Sequence, residues 1–401
     1  MALLPVAAAL ERLLEGAAPL ASESVSLLEA VDRVLAEPVV ALRTQPPFNA
    51  SAMDGYAVRA VDVASVPSRL SVMGVAAAGR GFDGAVGKAQ AVRIFTGAPL
   101  PQGADTIVIQ ENVRDLGGGS IEVVEPTAEG RNIRRFGLDF SEGDILLEKG
   151  RVLDPAALSL VASANHPRVG VVKRPLVAII ATGDELLPPG SELGPDQIIS
   201  SNAYGVAAAA QSVGAHALDL GIAADREEAI AALVRKAVAA GADVIVTLGG
   251  ASVGDHDLIH DVLTGEGMTL GFWKIAMRPG KPLMFGRLGD IRCIGLPGNP
   301  VASLVCSQLF LKPLLARLGG RDFRQDIRQA RLGAAMQAND LRQDYVRAVV
   351  RQEAGMLVAT PFSIQDSSML RILADANGLI VREPSASAAA VGNACSVIML
   401  R

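Results

Sequence analysis

The chain has 401 residues, half of them hydrophobic and a fifth charged, with a formal net charge of -5, which predicts two to four domains rather than one core. The acidic balance and 3% aromatic content exclude a dedicated nucleic-acid binder, which needs a basic stripe to displace counterions and rings to stack on bases. No apolar run reaches the roughly 18 uninterrupted residues of a membrane span, and residues 1–20 carry no basic leader before their apolar part, so a soluble cytoplasmic protein with no membrane association is expected.

In chain order, Ser26 and Glu29 have capping-box spacing, and Leu28, Val31 and Leu35 recur at helical intervals until Pro38, so the first 40 residues are expected to be mostly helical. Between residues 45 and 130 short β-branched runs such as AVRIF and TIVIQENV, split by Gly and Pro clusters, predict a β-rich insert. Helical character returns at residues 154–164. From Pro175 apolar strands (PLVAIIAT, HALDLGIA, DVIVTLGG) alternate with helical runs (AYGVAAAAQSVGA, REEAIAALVRKAVAAGA), which specifies a parallel sheet covered on both faces, a three-layer α/β domain. Asp225 and Glu228 have capping-box spacing before the second helix, and Gly241 stands where a C-terminal cap is expected. Strands LMFGR and IRCIGL and a helix from about Pro300 close that domain. Beyond Gly320, DYVRAVVRQ, LIVRE and CSVIML around a short helix at residues 369–376 predict a small terminal β domain. The resulting α/β multidomain layout is a helical or linker domain (1–45 plus 138–174), an inserted β-rich lobe (46–137), the α/β domain (175–320) and a C-terminal β domain (321–401).

Several patterns lack the context their chemistry needs. Gly79, Gly81 and Gly84 match GxGxxG, but no helix pattern follows them. His256 and His260 lie four apart, yet Asp257 stands where a zinc protease needs Glu. Cys293, Cys306 and Cys395 are far apart in apolar stretches and read as buried thiols.

The informative residues fall at the carboxyl ends of the predicted strands, where open α/β sheets bind ligands. ATGDEL places Thr182, Gly183, Asp184 and Glu185 there; the plainer reading is a capped turn. Ser200, Ser201 and Asn202 precede a helix whose free amides and dipole favour an anion. The run GGASVGDHD, with Gly249, Gly250, Ser252, Gly254, Asp255 and Asp257, suits phosphate oxygens and a hard divalent cation such as Mg²⁺. Lys274, Arg278 and Lys281 surround a Pro-Gly turn, and GLPGNP turns at Pro297 into a helix opening at Pro300. In the β-rich lobe Asp54-Gly55 and Thr96-Gly97 each read as a turn, and Arg131, Arg134 and Arg135 as an anion clamp.

Taken together, PPFNASAMDGYAV, TGAPLPQGADTIV, ATGDEL, the SVG loop with Asp257, RPGKP and LPGNP resemble the molybdopterin molybdenumtransferase (MoeA) family, which includes the E domain of gephyrin, from about residue 5 to 400. The resemblance implies an α/β domain of the molybdopterin-binding type, four domains per subunit and a homodimer with each active site shared between subunits. It implies that adenylylated molybdopterin and molybdate are converted, with Mg²⁺, to molybdenum cofactor and AMP. It carries catalytic roles onto Asp54, Thr96, Asp139, Glu185, Asp225 and Asp257, with Asp225 and Asp257 as metal ligands. Substrate contacts fall on Gly183, Asp184, Ser201, Asn202, Gly249, Gly250, Ser252, Gly254, Lys274, Arg278, Lys281, Pro297 and Pro300. The pathway adenylyltransferase and molybdoenzyme acceptors are the protein partners it implies. Arg278 replaces a usual Lys, Leu138 a usual acid, and Ala302 a common Ser, while PFSIQDSSML departs from the family pattern.

No Ser/His/Asp or Cys/His arrangement is legible, so charge stabilisation of phosphoanhydride cleavage is expected rather than a covalent intermediate. Two other readings share these features: a molybdopterin adenylyltransferase, whose α/β domain is similar, and a non-catalytic scaffold that keeps the fold. The β-rich lobe with Asp54 and Thr96 favours metal insertion.

Overall fold

The computed structural model describes residues 3–249 and 258–401, and the chain divides into two compact units, one of residues 24–31 and 35–171, the other of the remainder. In the larger unit a six-stranded sheet runs in the order His216–Ala223, Leu176–Thr182, Val244–Leu248, Ile291–Leu296, Met284–Leu288, Thr269–Trp273. The first four strands are mutually parallel. The last two are antiparallel, a departure from the wholly parallel sheet expected. The cause is the two-residue link through Gly289 (φ 58°), which is too short for the crossover that a parallel pair requires.

Both sheet faces are buried, as the continuous apolar strands predict. Val177 and Ile179 point into a layer with Val206 and Ala210 of helix Asn202–Gln211 and with Leu314. Ala178 and Ile180 point into the opposite layer, against Ile230 and Val234 of helix Glu227–Ala239 and Ile259 of helix Leu258–Gly265. The stretch Pro300–Leu318 is long and apolar enough to cross a membrane, but 78% of its apolar window is buried in this unit. Its continuity depends on a π-helical segment, Ser307–Leu311, between two α-helical ones, so the apolar length belongs to the core.

The same unit carries a C-terminal barrel. Strand Gln343–Glu353 pairs with both Met356–Pro361 and Gly378–Arg382, while Ile327–Leu332 and Ala394–Met399 complete a closed ring around Leu332, Val350, Ile380 and Val397. Closure leaves this small domain no free edge within the ring.

The smaller unit contains a mixed six-stranded sheet in the order Thr106–Ile109, Gly55–Val58, Gln90–Ile94, Ser68–Ala76, Ser120–Val123, Val113–Gly117, with Ile94 and Ile107 buried on one side and Leu70 and Ile121 on the other. Helix Pro155–Ser163 lies outside it, capped by Asp154, whose carboxylate accepts from the Ala157 NH at 2.8 Å. The glycine triplet at 79, 81 and 84 sits between two strands of this lobe with no following helix, as its surroundings predict.

Three local expectations are corrected. The first 40 residues contain one helix, Val6–Leu14, rather than being mostly helical. The Ser26–Glu29 box does form, with Glu29 accepting from the Ser26 NH at 3.0 Å and hydroxyl at 2.7 Å, but no helix follows. Leu28 and Val31 are exposed while Leu35 is buried, so the periodic residues share no buried face, and Asp32 leaves the helical region at φ 59°. Helix Val6–Leu14 itself packs Ala9 and Leu13 into the α/β layer. Helix Glu227–Ala239 has Arg226, not Asp225, at its cap and no side-chain capping bond; the Asp225 NH donates to the Asp184 carboxylate at 3.1 Å. Gly241 does terminate that helix, at φ 72°. Cys293 and Cys306 are buried, but Cys395 is only half-buried; burial pushes the Cys293 thiol up to about 12 and raises those of Cys306 and Cys395.

The entry and exit of the smaller unit are adjacent: in the larger unit the Val172 NH donates to the Val34 carbonyl at 2.8 Å, and in the smaller one Leu35 bridges Val171.

Candidate active site

The connections from Leu176–Thr182 to His216–Ala223 and from there to Val244–Leu248 leave in opposite directions along the sheet, which creates a switch point between strands Leu176–Thr182 and Val244–Leu248. A ligand crevice is expected outside the strand ends there. A cavity of about 610 Å³ occupies it, lined among others by Thr182, Glu185, Asn202, Asp225, Gly249 and Pro297. At its base Thr182 is 4% exposed, and its buried hydroxyl has no hydrogen-bond partner among the described residues.

Two glycines keep this base open. A Cβ on Gly249 would lie 2.6 Å from the Thr182 carbonyl oxygen, and its φ is +99°. A Cβ on Gly183, at φ +149°, would lie 2.5 Å from the Glu185 carboxylate. Neither position accepts a side chain without displacement.

Helix Asn202–Gln211 opens onto the cavity with Ser201 at its N-cap and no side chain capping it, leaving first-turn amides and the positive end of the dipole for an anion. Pro300 begins the neighbouring helix on the same cavity, and the two ends are tied together where Asn202 Nδ2 donates to the Gly298 carbonyl at 2.7 Å. Asp184, Glu185 and Asp225 gather at one rim: burial first, then the charges of Asp184 and Glu185, raises the Asp225 carboxyl above its usual range.

The structure adds a contribution that the sequence reading missed. Ser368 of the C-terminal domain lines the cavity. It is positioned by Ser367, whose carbonyl accepts from the Val301 NH at 3.0 Å and whose hydroxyl accepts from Asn299 Nδ2 at 3.0 Å. Two serines in an irregular segment carried no chemical pattern of their own.

The basic set is dispersed. Arg278 forms an ion pair with Asp344, flanked by Asp340 at 3.7 Å, and lines a different cavity of about 590 Å³ beside the barrel. Its hydrogen bond to Asp344 holds its guanidinium pKa above the ordinary value. Lys274, at φ 73°, places its ammonium 4.9 Å from the centroid of the Trp273 ring, which also stacks on His260 at 5.3 Å. Lys281 is half-buried, and its neighbour Pro282 lines the main cavity. Gly250, Ser252, Gly254, Asp255, His256 and Asp257 lie outside the described residues.

In the smaller unit Asp54 and Thr96, 42 residues apart, meet directly. Asp54 Oδ1 accepts from the Thr96 NH at 2.7 Å and the Thr96 hydroxyl at 2.9 Å. The Thr96 backbone bond, its hydroxyl and then the charge of Arg93 hold the Asp54 carboxyl below its usual range. Gly55 is no turn residue: it begins strand Gly55–Val58 between two partners, and a Cβ there would lie 2.0 Å from the Val108 carbonyl oxygen. Arg93, unremarked in the sequence, braces this corner. It donates to the Gly55 carbonyl at 3.2 Å and to Gln110 Oε1 at 2.7 Å, and lies 5.0 Å from the Tyr56 ring centroid and 5.1 Å from that of Phe95. Asp139 is exposed in a separate loop, its NH bound to the Gln45 carbonyl at 3.0 Å, and Arg131, Arg134 and Arg135 are also exposed.

Comparison with known proteins matches these parts in order. Residues 4–165 match the family described as MoeA N-terminal region (domain I and II), residues 178–317 the probable molybdopterin binding domain, and residues 329–400 the MoeA C-terminal region (domain IV). A molybdopterin molybdenumtransferase of Haemophilus influenzae is 39% identical over 76% of this chain and 74% of its own length. One of Bacillus subtilis is 35% identical over 95% and 90%. The crystal structure of a molybdopterin biosynthesis MoeA protein from Pyrococcus horikoshii superposes with a TM-score of 0.85 at 31% identity, covering all of both chains. The chain therefore belongs to the molybdopterin molybdenumtransferase family, enzymes of molybdenum cofactor biosynthesis.

Proposed function

We propose that the chain inserts molybdate into adenylylated molybdopterin with release of AMP, and that the switch-point cavity binds the nucleotide-linked substrate. The observation that carries the reading is the uncapped N-terminus of helix Asn202–Gln211 opening on the same cavity as Gly249 and the unpartnered Thr182 hydroxyl. Free amides and a backbone without side chains suit a pyrophosphate. Glu185 and Asp54 orient water or substrate, and the lowered pKa of Asp54 keeps it an acceptor near neutral pH. Of the basic set, Lys281 supplies charge for molybdate in this reading, while Lys274 is engaged by Trp273 and Arg278 by Asp344, and Pro297 and Pro300 shape the last loop.

Mg²⁺ fits the donor chemistry at the acidic rim. Asp225 is a hard oxygen donor whose charged form is disfavoured first by burial and then by the charges of Asp184 and Glu185, a repulsion that a cation relieves. Magnesium takes one or two carboxylates, in this reading Asp225 with Asp257, and completes its shell from substrate phosphates and water. Bound there, Mg²⁺ would supply neutralisation of phosphoanhydride charge.

The reading includes cytoplasmic localisation and a homodimer in which Asp54, Thr96 and Asp139 of one subunit act with Glu185 and Asp225 of its partner. The pathway adenylyltransferase and molybdoenzyme acceptors are its protein partners. The test is molybdate-dependent AMP release from purified adenylylated molybdopterin. Loss of release in Asp54→Asn and Asp257→Asn is expected, and full activity in both would sink the assignment.

A further inference from the structure

No step of the proposed reaction uses Arg93, yet its contacts converge on Asp54. Strands Gly55–Val58 and Gln90–Ile94 pair antiparallel with Tyr56 directly opposite Arg93, and Phe95 follows two residues after it. Side chains so related share one face of a sheet. The guanidinium carbon lies 5.0 Å from the Tyr56 ring centroid and 5.1 Å from that of Phe95, within the roughly 6 Å reach of a cation–π contact.

Its hydrogen bonds close a ring through the acid's own main chain. Arg93 Nη1 donates to the carbonyl of Gly55, the residue after Asp54, at 3.2 Å, and Nη2 donates to Gln110 Oε1 at 2.7 Å. Gln110 in turn donates its NH to the Asp54 carbonyl at 3.2 Å. One planar fork therefore ties the start of strand Gly55–Val58 to the residue after strand Thr106–Ile109, with Asp54 held between them. Thr96 fixes the carboxylate from another direction through Oδ1. Among the described residues Asp54 Oδ2 has no hydrogen-bond partner.

A guanidinium clamps an oxyanion by presenting two parallel N–H donors. In Arg93 each terminal nitrogen already donates to a protein acceptor, and two rings hold the plane. We propose that Arg93 is a positioning residue for Asp54: it acts on the reaction through the acid, by clamping the strand ends that carry it, with Gln110 as the second jaw of the clamp. The inference rests on the function proposed above, in which Asp54 orients water or substrate. Geometry and charge separate by substitution. Lysine keeps the charge but lacks the planar fork, whereas methionine keeps an unbranched stem and loses both.

AMP release and the carboxyl-carbon NMR titration of Asp54 are measured on the full chain as wild type, Arg93→Lys, Arg93→Met and Gln110→Met. In Arg93→Lys kcat should fall about tenfold or more, the scale of a misplaced catalytic group, with KM and the Asp54 titration close to wild type. Arg93→Met should lose at least as much kcat and should also move the Asp54 titration to higher pH, because a cation that favours its charged form is gone. Gln110→Met, which retains Arg93 and the backbone bond to Asp54, should show a smaller fall, again in kcat alone. Undiminished kcat in a folded Arg93→Lys overturns the clamp, as does a raised KM at unchanged kcat, the mark of lost substrate binding. Should neither Arg93 variant fold, undiminished kcat in Gln110→Met overturns it. Absence of AMP release by the wild type, or full release by Asp54→Asn, defeats the function or the role proposed above for the acid. Loss of release in Asp54→Asn with full release in the Arg93 variants defeats only the positioning role.

Discussion

A methyl group on Gly249 would stand 2.6 Å from the carbonyl oxygen of Thr182, so the two central strands end in a contact that only glycine permits. Gly249→Ala adds that collision to a φ of +99°, a region that costs an L-residue about 1–2 kcal/mol. Expected results are a lower melting temperature and a larger loss of substrate affinity than of stability. Calorimetry and ligand titration on the same sample check this, and unchanged affinity would count against the phosphate role of the loop.

Thr96→Val removes the hydroxyl bond to Asp54 and leaves the backbone bond. The Asp54 carboxyl should then titrate at higher pH than in the wild type, because a donor that favours its charged form is gone. Carboxyl-carbon NMR reads the shift. Activity should fall less than in Asp54→Asn, which removes the charge itself.

Mixing Asp54→Asn and Glu185→Gln chains tests whether the two acids act across subunits. If each site takes one from each subunit, random re-pairing makes half the dimers mixed, each with one intact site, and restores roughly a quarter of wild-type activity. No recovery after verified subunit exchange would place both acids in one chain's site or remove one from catalysis.

Asp243 supplies a pH prediction. Burial, the largest influence, raises its carboxyl above the usual range, although its Oδ2 accepts from the Leu176 NH at 2.8 Å. The folded state thus holds this proton more tightly than the unfolded state. The stability linked to it is present below the ordinary carboxylate value and is lost as pH rises through the raised one. Asp243→Asn keeps an acceptor for Leu176 and carries no charge. It should be no less stable than wild type at neutral pH and should flatten the decline in denaturation midpoint over that acidic interval.

What the sequence disclosed followed from periodicity. Strand Leu176–Thr182 and helix Asn202–Gln211 announce themselves because burial on two faces and on one demands different patterns. Relationships between distant residues left no such trace. Gly55 resembles a turn glycine until strand Thr106–Ile109 presses the Val108 carbonyl against it. Arg278 reads as a free surface cation until Asp344, 66 residues later, pairs with it. The Ser26–Glu29 contact forms without its helix because Leu28, 88% exposed, finds no partner surface.

The hydrogen bond from Val172 to Val34 joins the points where the long segment 35–171 leaves and rejoins the larger unit, and neighbouring chain ends of this kind are where domain insertion is tolerated. The smaller unit also keeps residues 24–31, whose Val25 and Ala30 pack with Leu35, Val169 and Val171. Asp54 therefore shares one self-packed body with Thr96 and Arg93, the two residues that set its charge.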